Sequence, residues 1–435
     1  MNQSTDAAIP PAATPAAGAP PLARAWIYLG ALIVGYIGIY LCRRNFSVAV
    51  PMLQDYFNAS RAEIGTIASV STAAYAAGKF IFGPLIDRYG GRGSFLLALC
   101  GVACFGALGA FATSVLLLTV FYSGNRLAGS AGWGGMVKLV PDWFPVRLLP
   151  FAMALLSLSF VFGGVIATMF AGQIAEWSGN NWRAVMGLPS IVLVGLIVVM
   201  AVVLPRAGHR LSAPPGAGTQ VAASSPVKGS AFVRLKELSR IRKFWIVLGL
   251  SFILTLFRET FSTWTVDFIK TEGGEEVSTR IAAFLSTPFD ALGAVGILFL
   301  GWVFGRISSG QRSLLLLVML SVLAVIVWAL PNLFQHGRLT VMVAVGAIGF
   351  LSYGPYSLLA GILAVEIRGP AYVATVAGMV DGVGYVASIL AGRQFGQLVD
   401  AGGYQLGFQV LAGLALAAAV LSLFLYERGE RTVVG

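Results

Sequence analysis

Nine ionisable side chains interrupt stretches that are otherwise apolar: Arg43, Arg44, Lys79, Arg126, Arg258 and Arg393, with Glu259, Asp290 and Asp381. Six are basic and three acidic. In hydrocarbon each such residue costs about 2.5–3.5 kcal/mol even on a lenient insertion scale, so each needs a partner or a polar cavity. Three acids cannot neutralise six bases, and the surplus is best offset by an anion that arrives from outside. Arginine is well suited to hold one, since it stays protonated and its planar fork matches phosphate oxygens with two parallel hydrogen bonds. The competing reading is a structural network in which buried acids such as Asp290 or Asp381 satisfy the arginines. Little else could do chemistry. Both histidines, His209 and His336, lie outside the apolar stretches, and Cys42, Cys100 and Cys104 have neither a paired framework nor metal-ligand spacing. Neither enzyme chemistry nor a cofactor or metal is expected, and no nucleotide-binding motif is present.

The elements that hold these residues must cross a membrane. The chain has 435 residues, of which 57% are hydrophobic and 11% charged, with a mean hydropathy of +0.83. A soluble domain carries roughly 25% charged residues, which excludes that class. The net charge of +11 does not form one patch, so nucleic acid is not an expected partner. A ruler of about 20 apolar residues per span gives twelve spans between residues 25 and 426. The expected organisation is a disordered tail over 1–23, a six-helix bundle over 24–204, a cytoplasmic linker over 205–242, a second six-helix bundle over 243–427 and a tail over 428–435. Lysines and arginines concentrate on one side when both termini are cytoplasmic, the orientation the positive-inside rule selects. The expected location is therefore the cell's inner (plasma) membrane.

The halves repeat. Arg43-Arg44-Asn45-Phe46-Ser47 matches Arg258-Glu259-Thr260-Phe261-Ser262, and Gly83, Asp87-Arg88, Gly90, Arg92 matches Gly301, Gly305-Arg306, Gly310, Arg312. A pseudo-twofold axis then sets Arg43 and Arg258 at the same depth on opposite sides of a central cavity. Lys79 sits among Ala73, Ala74, Ala76, Ala77 and Gly78, which points it at the cavity; snorkelling to an interface is the alternative. Arg44 points about 100° away from Arg43 and is expected to pair with Glu259 or Asp290, in a buried charge network with Asp381. Tyr36, Tyr40, Tyr75, Trp264, Tyr353 and Tyr356 are candidate cavity-lining residues, with helix packing as the alternative for each. Gly83, Asp87, Arg88 and Arg92 form a candidate gating loop.

Parallel six-helix repeats, and the G-x-x-x-D-R-x-G-x-R pattern from Gly83 to Arg92, resemble the major facilitator superfamily. Within it the chain resembles the organophosphate:phosphate antiporters, the glycerol-3-phosphate and hexose-6-phosphate transporters. The resemblance rests on Tyr36 to Pro51, Ala74 to Arg92, Gly132-Trp133 with Asp142-Trp143-Phe144, Arg258 with Trp264, Asp290, Tyr353-Gly354-Pro355 and Gly378 to Gly392. It departs at Phe160, where some members carry a histidine before the glycine pair, at Thr263, and in having Arg126 and Asp381. The resemblance implies an all-α membrane protein of twelve helices, working as a monomer in the lipid bilayer. It implies exchange of an organophosphate for inorganic phosphate by alternating access, with Arg43 and Arg258 as phosphate ligands and Lys79 assisting. Two alternatives stay open: a proton-coupled symporter of an organic anion such as a sugar acid, using Glu259, Asp290 or Asp381, and a non-transporting sensor of phosphate esters.

Overall fold

The computed structural model describes residues 22–145, 148–205, 237–304, 306–359, 363, 367 and 373–425. Among them the chain is helical, with no strand. The helices are α1 Leu22–Phe57, α2 Arg61–Tyr89, α3 Gly91–Gly109, α4 Val115–Leu139, α5 Leu149–Trp177, α6 Trp182–Val203, α7 Arg242–Glu272, α8 Thr279–Ser286, α9 Pro288–Phe304, α10 Ser309–Ala329, α11 Arg338–Leu359, α12 Val373–Leu390 and α13 Arg393–Leu423. Of the expected outer segments, the N-terminal tail, the C-terminal tail and most of the linker lie outside the described residues.

By length and composition, nine helical runs among the described residues could cross a membrane. The expected twelve spans are not counted this way, for physical reasons. Helices α2 and α4 are absent from the nine because polar residues dilute them, Lys79 and Arg126 among these. Gly378–Leu423 forms one run, although α13 is broken at Gly402 and Gly403. Gly403 has φ +67° and ψ −179°, a conformation open essentially to glycine alone.

Helix α1 packs on α5 and α6, α3 on α4 and α6, and α2 on α4; later in the chain, α9 packs on α11, α10 on α13, and α12 on α7. Small residues permit close approach, as expected where lipid offers no hydrophobic drive between helices. A Cβ on Gly135 of α4 would lie 2.9 Å from the Gly91 carbonyl oxygen of α3. Pro51, Pro189 and Pro355 lie within α1, α6 and α11, which is tolerated where neighbouring helices satisfy the freed carbonyls.

The two sets of helices meet closely at the end of the bundle where α1 and α7 finish. A Cβ on Gly65 would lie 2.5 Å from the Gly392 carbonyl oxygen, and one on Gly396 would lie 2.5 Å from that of Arg61. Asp400 of α13 accepts from the backbone N–H groups of Arg61 (3.0 Å) and Ala62 (2.8 Å), placing a carboxylate on the positive end of α2. Ser60 and Glu63 complete that end with a reciprocal capping box.

Candidate functional site

Between the two sets of helices lies a cavity of about 310 Å³. Its lining includes Tyr36, Tyr40, Arg43, Arg44 (α1), Tyr75, Lys79 (α2), Arg126 (α4), Arg258, Glu259 (α7), Asp290 (α9), Tyr353, Tyr356 (α11), Asp381 and Tyr385 (α12). Five basic and three acidic residues therefore face one small space. The sequence brings them there by helical spacing: Tyr36, Tyr40 and Arg43 lie three or four residues apart and share one face of α1, as do Tyr75 and Lys79 on α2, and Asp381 and Tyr385 on α12.

The charges are not arranged symmetrically. On α2, the Tyr75 ring is approached by three cations: Arg43 Cζ at 5.4 Å, Lys79 Nζ at 5.4 Å and Arg126 Cζ at 4.9 Å from its centroid. Arg43 is also 5.4 Å from the Tyr40 ring. Such cation–π contacts hold a guanidinium in place without neutralising it. Across the cavity, Arg258 sits 4.3 Å from the Tyr356 ring and 5.8 Å from that of Tyr353. Its Nη2 donates to Glu259 Oε1 at 3.2 Å. Glu259 also interacts electrostatically with Arg43 and Arg126.

Of the two expected partners for Arg44, the structure gives it Asp290. The Arg44 Nη2 reaches Asp290 Oδ1 at 2.6 Å and Oδ2 at 2.5 Å, and the Tyr353 hydroxyl donates to Oδ1 at 2.8 Å. The other arm, Nη1, donates to the Ser262 carbonyl at 3.1 Å and to its hydroxyl. A glycine pair on α5 makes this geometry possible. A Cβ on Gly164 would stand 2.9 Å from Asp290 Oδ2, and one on Gly163 would stand 2.9 Å from Cγ of Tyr40.

Other expected residues lie elsewhere. Trp264 is 1% exposed and donates from Nε1 to the Ala391 carbonyl at 2.9 Å, so it braces the join of α12 and α13. Arg393 starts α13, where its backbone N–H donates to Ser69 Oγ at 2.9 Å. In the gating motif, Arg92 donates to the carbonyls of Ala201 (2.8 Å) and Leu204 (3.1 Å), tying α3 to the end of α6. The side chains of Gly83, Asp87 and Arg88 lie outside the described residues.

Three contributors are missing from the sequence reading. Tyr385 lies 6.1 Å from Tyr75, ring to ring, and 5.3 Å from Lys79 Nζ; its spacing from Asp381 is the signal that could have found it. Ser262 stands within the repeated R-x-[NT]-F-S motif. Asp267, 1% exposed, accepts from Arg61 Nε (2.8 Å), Gln54 Nε2 (2.9 Å) and the Tyr404 hydroxyl. It lies in α7, near the end of the bundle where α1 and α7 finish.

Known proteins share both the sequence pattern and the fold. The family model described as Major Facilitator Superfamily matches residues 32–392. A "Probable hexose phosphate transport protein" of Chlamydia pneumoniae is 25% identical over 412 residues, spanning 91% of this chain and 89% of that protein. A "Glycerol-3-phosphate transporter" of Bacillus subtilis is 24% identical over 429 residues, spanning 94% and 93%. Among solved structures, a bacterial homologue of the human lysosomal transporter Spinster superposes with a TM-score of 0.74 at 15% identity, covering 93% of this chain and 97% of that one.

Proposed function

The chain belongs to the Major Facilitator Superfamily, a multi-pass membrane transporter and not an enzyme, and on that premise we propose that it takes up an organophosphate, glycerol-3-phosphate or a sugar phosphate, in exchange for inorganic phosphate. Two six-helix halves rock about a central site that is reached from either side of the plasma membrane in turn. The termini face the cytoplasm, as the distribution of lysine and arginine favours. The protein works as a monomer. Arg43 and Arg258 hold the phosphate from opposite halves, and Lys79 assists.

One observation carries this reading: five basic and three acidic side chains share a cavity of about 310 Å³. The surplus of two positive charges matches a phosphate monoester dianion. Tyrosine rings under Arg43 and Arg258 hold the guanidiniums ready without quenching them. The Chlamydia and Bacillus relatives, a probable hexose phosphate transport protein and a glycerol-3-phosphate transporter, point the same way. In the empty carrier the surplus positive charge of the cavity has no counter-ion, which raises the barrier to its return and favours exchange over one-way transport. The second reading, a proton-coupled anion symporter, draws on Asp381, an exposed carboxylate in the cavity lining.

Proteoliposomes preloaded with phosphate test the proposal through uptake of labelled phosphate, with and without an imposed pH gradient. Uptake that requires internal phosphate and is competed by glycerol-3-phosphate or a hexose phosphate is the expected result. Absence of phosphate exchange by well-folded protein rejects it. Uptake driven by the pH gradient with an empty lumen selects the symporter instead.

A further inference from the structure

Pairing off the charges in the cavity leaves two residues over. Arg44 is taken by Asp290, Arg258 by Glu259, and Lys79 stands beside Tyr385 within electrostatic reach of Asp381. Arg43 and Arg126 remain. Glu259 is within electrostatic reach of both but is bonded to Arg258; neither Arg43 nor Arg126 makes an ion pair among the described residues, and both belong to the first six helices. The uncompensated positive charge therefore lies between α1 and α4, on one side of the cavity, and not across it.

Arg126 is unusual in a second respect. It is 6% exposed, and its Nε is buried with no hydrogen-bond partner. A buried guanidinium with an orphaned donor is costly unless a ligand completes it. The Nε edge is one of the two faces with which arginine grips an oxyanion through paired N–H groups. Neighbouring residues fix the position of that edge. Tyr122, one helical turn before Arg126, donates its hydroxyl to the Arg43 backbone carbonyl at 2.9 Å, which holds α4 at the level of Arg43. Asn125 donates to the Val102 carbonyl at 2.9 Å, fixing the rotation of α4 against α3. The Tyr75 ring then lies within 5.4 Å of both guanidiniums. Smaller recesses off the main cavity are also lined by Arg43 and Arg126 together.

Building on the proposed organophosphate transport, we propose that Arg126 is a direct ligand of the transported anion. With Arg43 it forms a two-arginine seat over Tyr75 for a doubly charged oxyanion, the dianionic form of a phosphate or phosphate monoester. The first six helices alone capture the anion. Arg258 joins when the anion competes with Glu259 for it, which couples capture on one side to closure from the other. Arg126 thereby favours dianions over singly charged competitors.

The test uses the purified full-length chain in detergent, with labelled inorganic phosphate as the binding probe and thermal unfolding as the stability readout. Wild type, Arg126→Gln and Arg126→Lys are compared. In Arg126→Gln, phosphate binding is expected to weaken by at least about tenfold, as for loss of a charge-assisted hydrogen bond. Its unfolding midpoint without phosphate should equal or exceed that of wild type, because an uncompensated buried charge is gone. Arg126→Lys keeps the charge but not the fork, and should bind with intermediate affinity. Wild-type binding matched within about threefold by Arg126→Gln overturns this assignment and leaves the transport proposal standing. A lowered midpoint without phosphate in both variants marks Arg126 as a structural pillar and also overturns it. Failure of wild type itself to bind phosphate rejects the transport proposal and this inference together.

Discussion

Arg44 of α1 and Asp290 of α9 form a bifurcated ion pair that joins the early and late helices at the wall of the cavity, with oxygens 2.6 and 2.5 Å from the same Nη2. Both side chains are about 10% exposed. Breaking a buried pair by removing one partner costs about 3–5 kcal/mol, because the other charge is stranded. Asp290→Asn and Arg44→Leu should each lower the unfolding midpoint of the purified protein strongly. The joint Arg44→Leu/Asp290→Leu change should recover much of the loss. Losses that simply add in the double variant would show that the two groups are not coupled.

Glu259 is ion-paired with Arg258 at 3.2 Å, and in the proposed mechanism it competes with the substrate for that guanidinium. Glu259→Gln removes that competitor and adds one net positive charge to the cavity. Phosphate affinity should rise by roughly tenfold, equivalent to ~1.4 kcal/mol, in equilibrium binding of labelled phosphate. Turnover in exchange should fall, because release becomes slow. Unchanged affinity would place Glu259 outside the binding step.

Asp267 gathers Arg61, Gln54 and Tyr404 where α1 and α7 finish. In the proposed orientation, with the termini cytoplasmic, this is the outer face, and the cluster would hold it closed. In a background with Cys42, Cys100 and Cys104 replaced by serine, Thr72→Cys reports access to the cavity, since Thr72 lines it. An impermeant thiol reagent added outside whole cells should label this position faster when Asp267 is changed to Asn. Equal labelling rates would mean the cluster does not hold that end shut.

The crossing of α2 and α13 depends on glycine. A methyl on Gly65 would stand 2.5 Å from a backbone carbonyl oxygen, and backbone cannot give way as a side-chain tip can. Gly65→Ala should therefore be made and inserted normally yet lose most phosphate exchange in proteoliposomes, because the outer face no longer seals. Wild-type exchange rates would contradict this.

Much of the cavity was legible in the sequence because a charge inside an apolar run is expensive and therefore conspicuous. Arg43, Lys79, Arg258, Glu259 and Asp381 all line it. The pairing was not legible. Glu259 and Asp290 were equal candidates for Arg44, and the choice was made by Gly164, whose missing side chain leaves room for the Asp290 carboxylate. Asp267 escapes a linear reading because it falls near the end of α7, where a carboxylate is normally hydrated. Its burial comes from Arg61 and Tyr404, 206 and 137 residues away. Trp264 resembles a cavity residue in type and spacing, but its rotation around α7 turns it toward Ala391.

The break at Gly402 and Gly403 separates two residues with linked duties: Asp400, which caps α2, and Tyr404, which bonds Asp267. No loop intervenes, so there is no slack to absorb movement. In the proposed rocking of the two halves, a swing of the segment before the corner would be passed to the segment after it, as in a bell crank, and the cap and the tyrosine would let go of their partners in one stroke. A single inserted residue at this corner would leave both helices intact and still throw the two grips out of step.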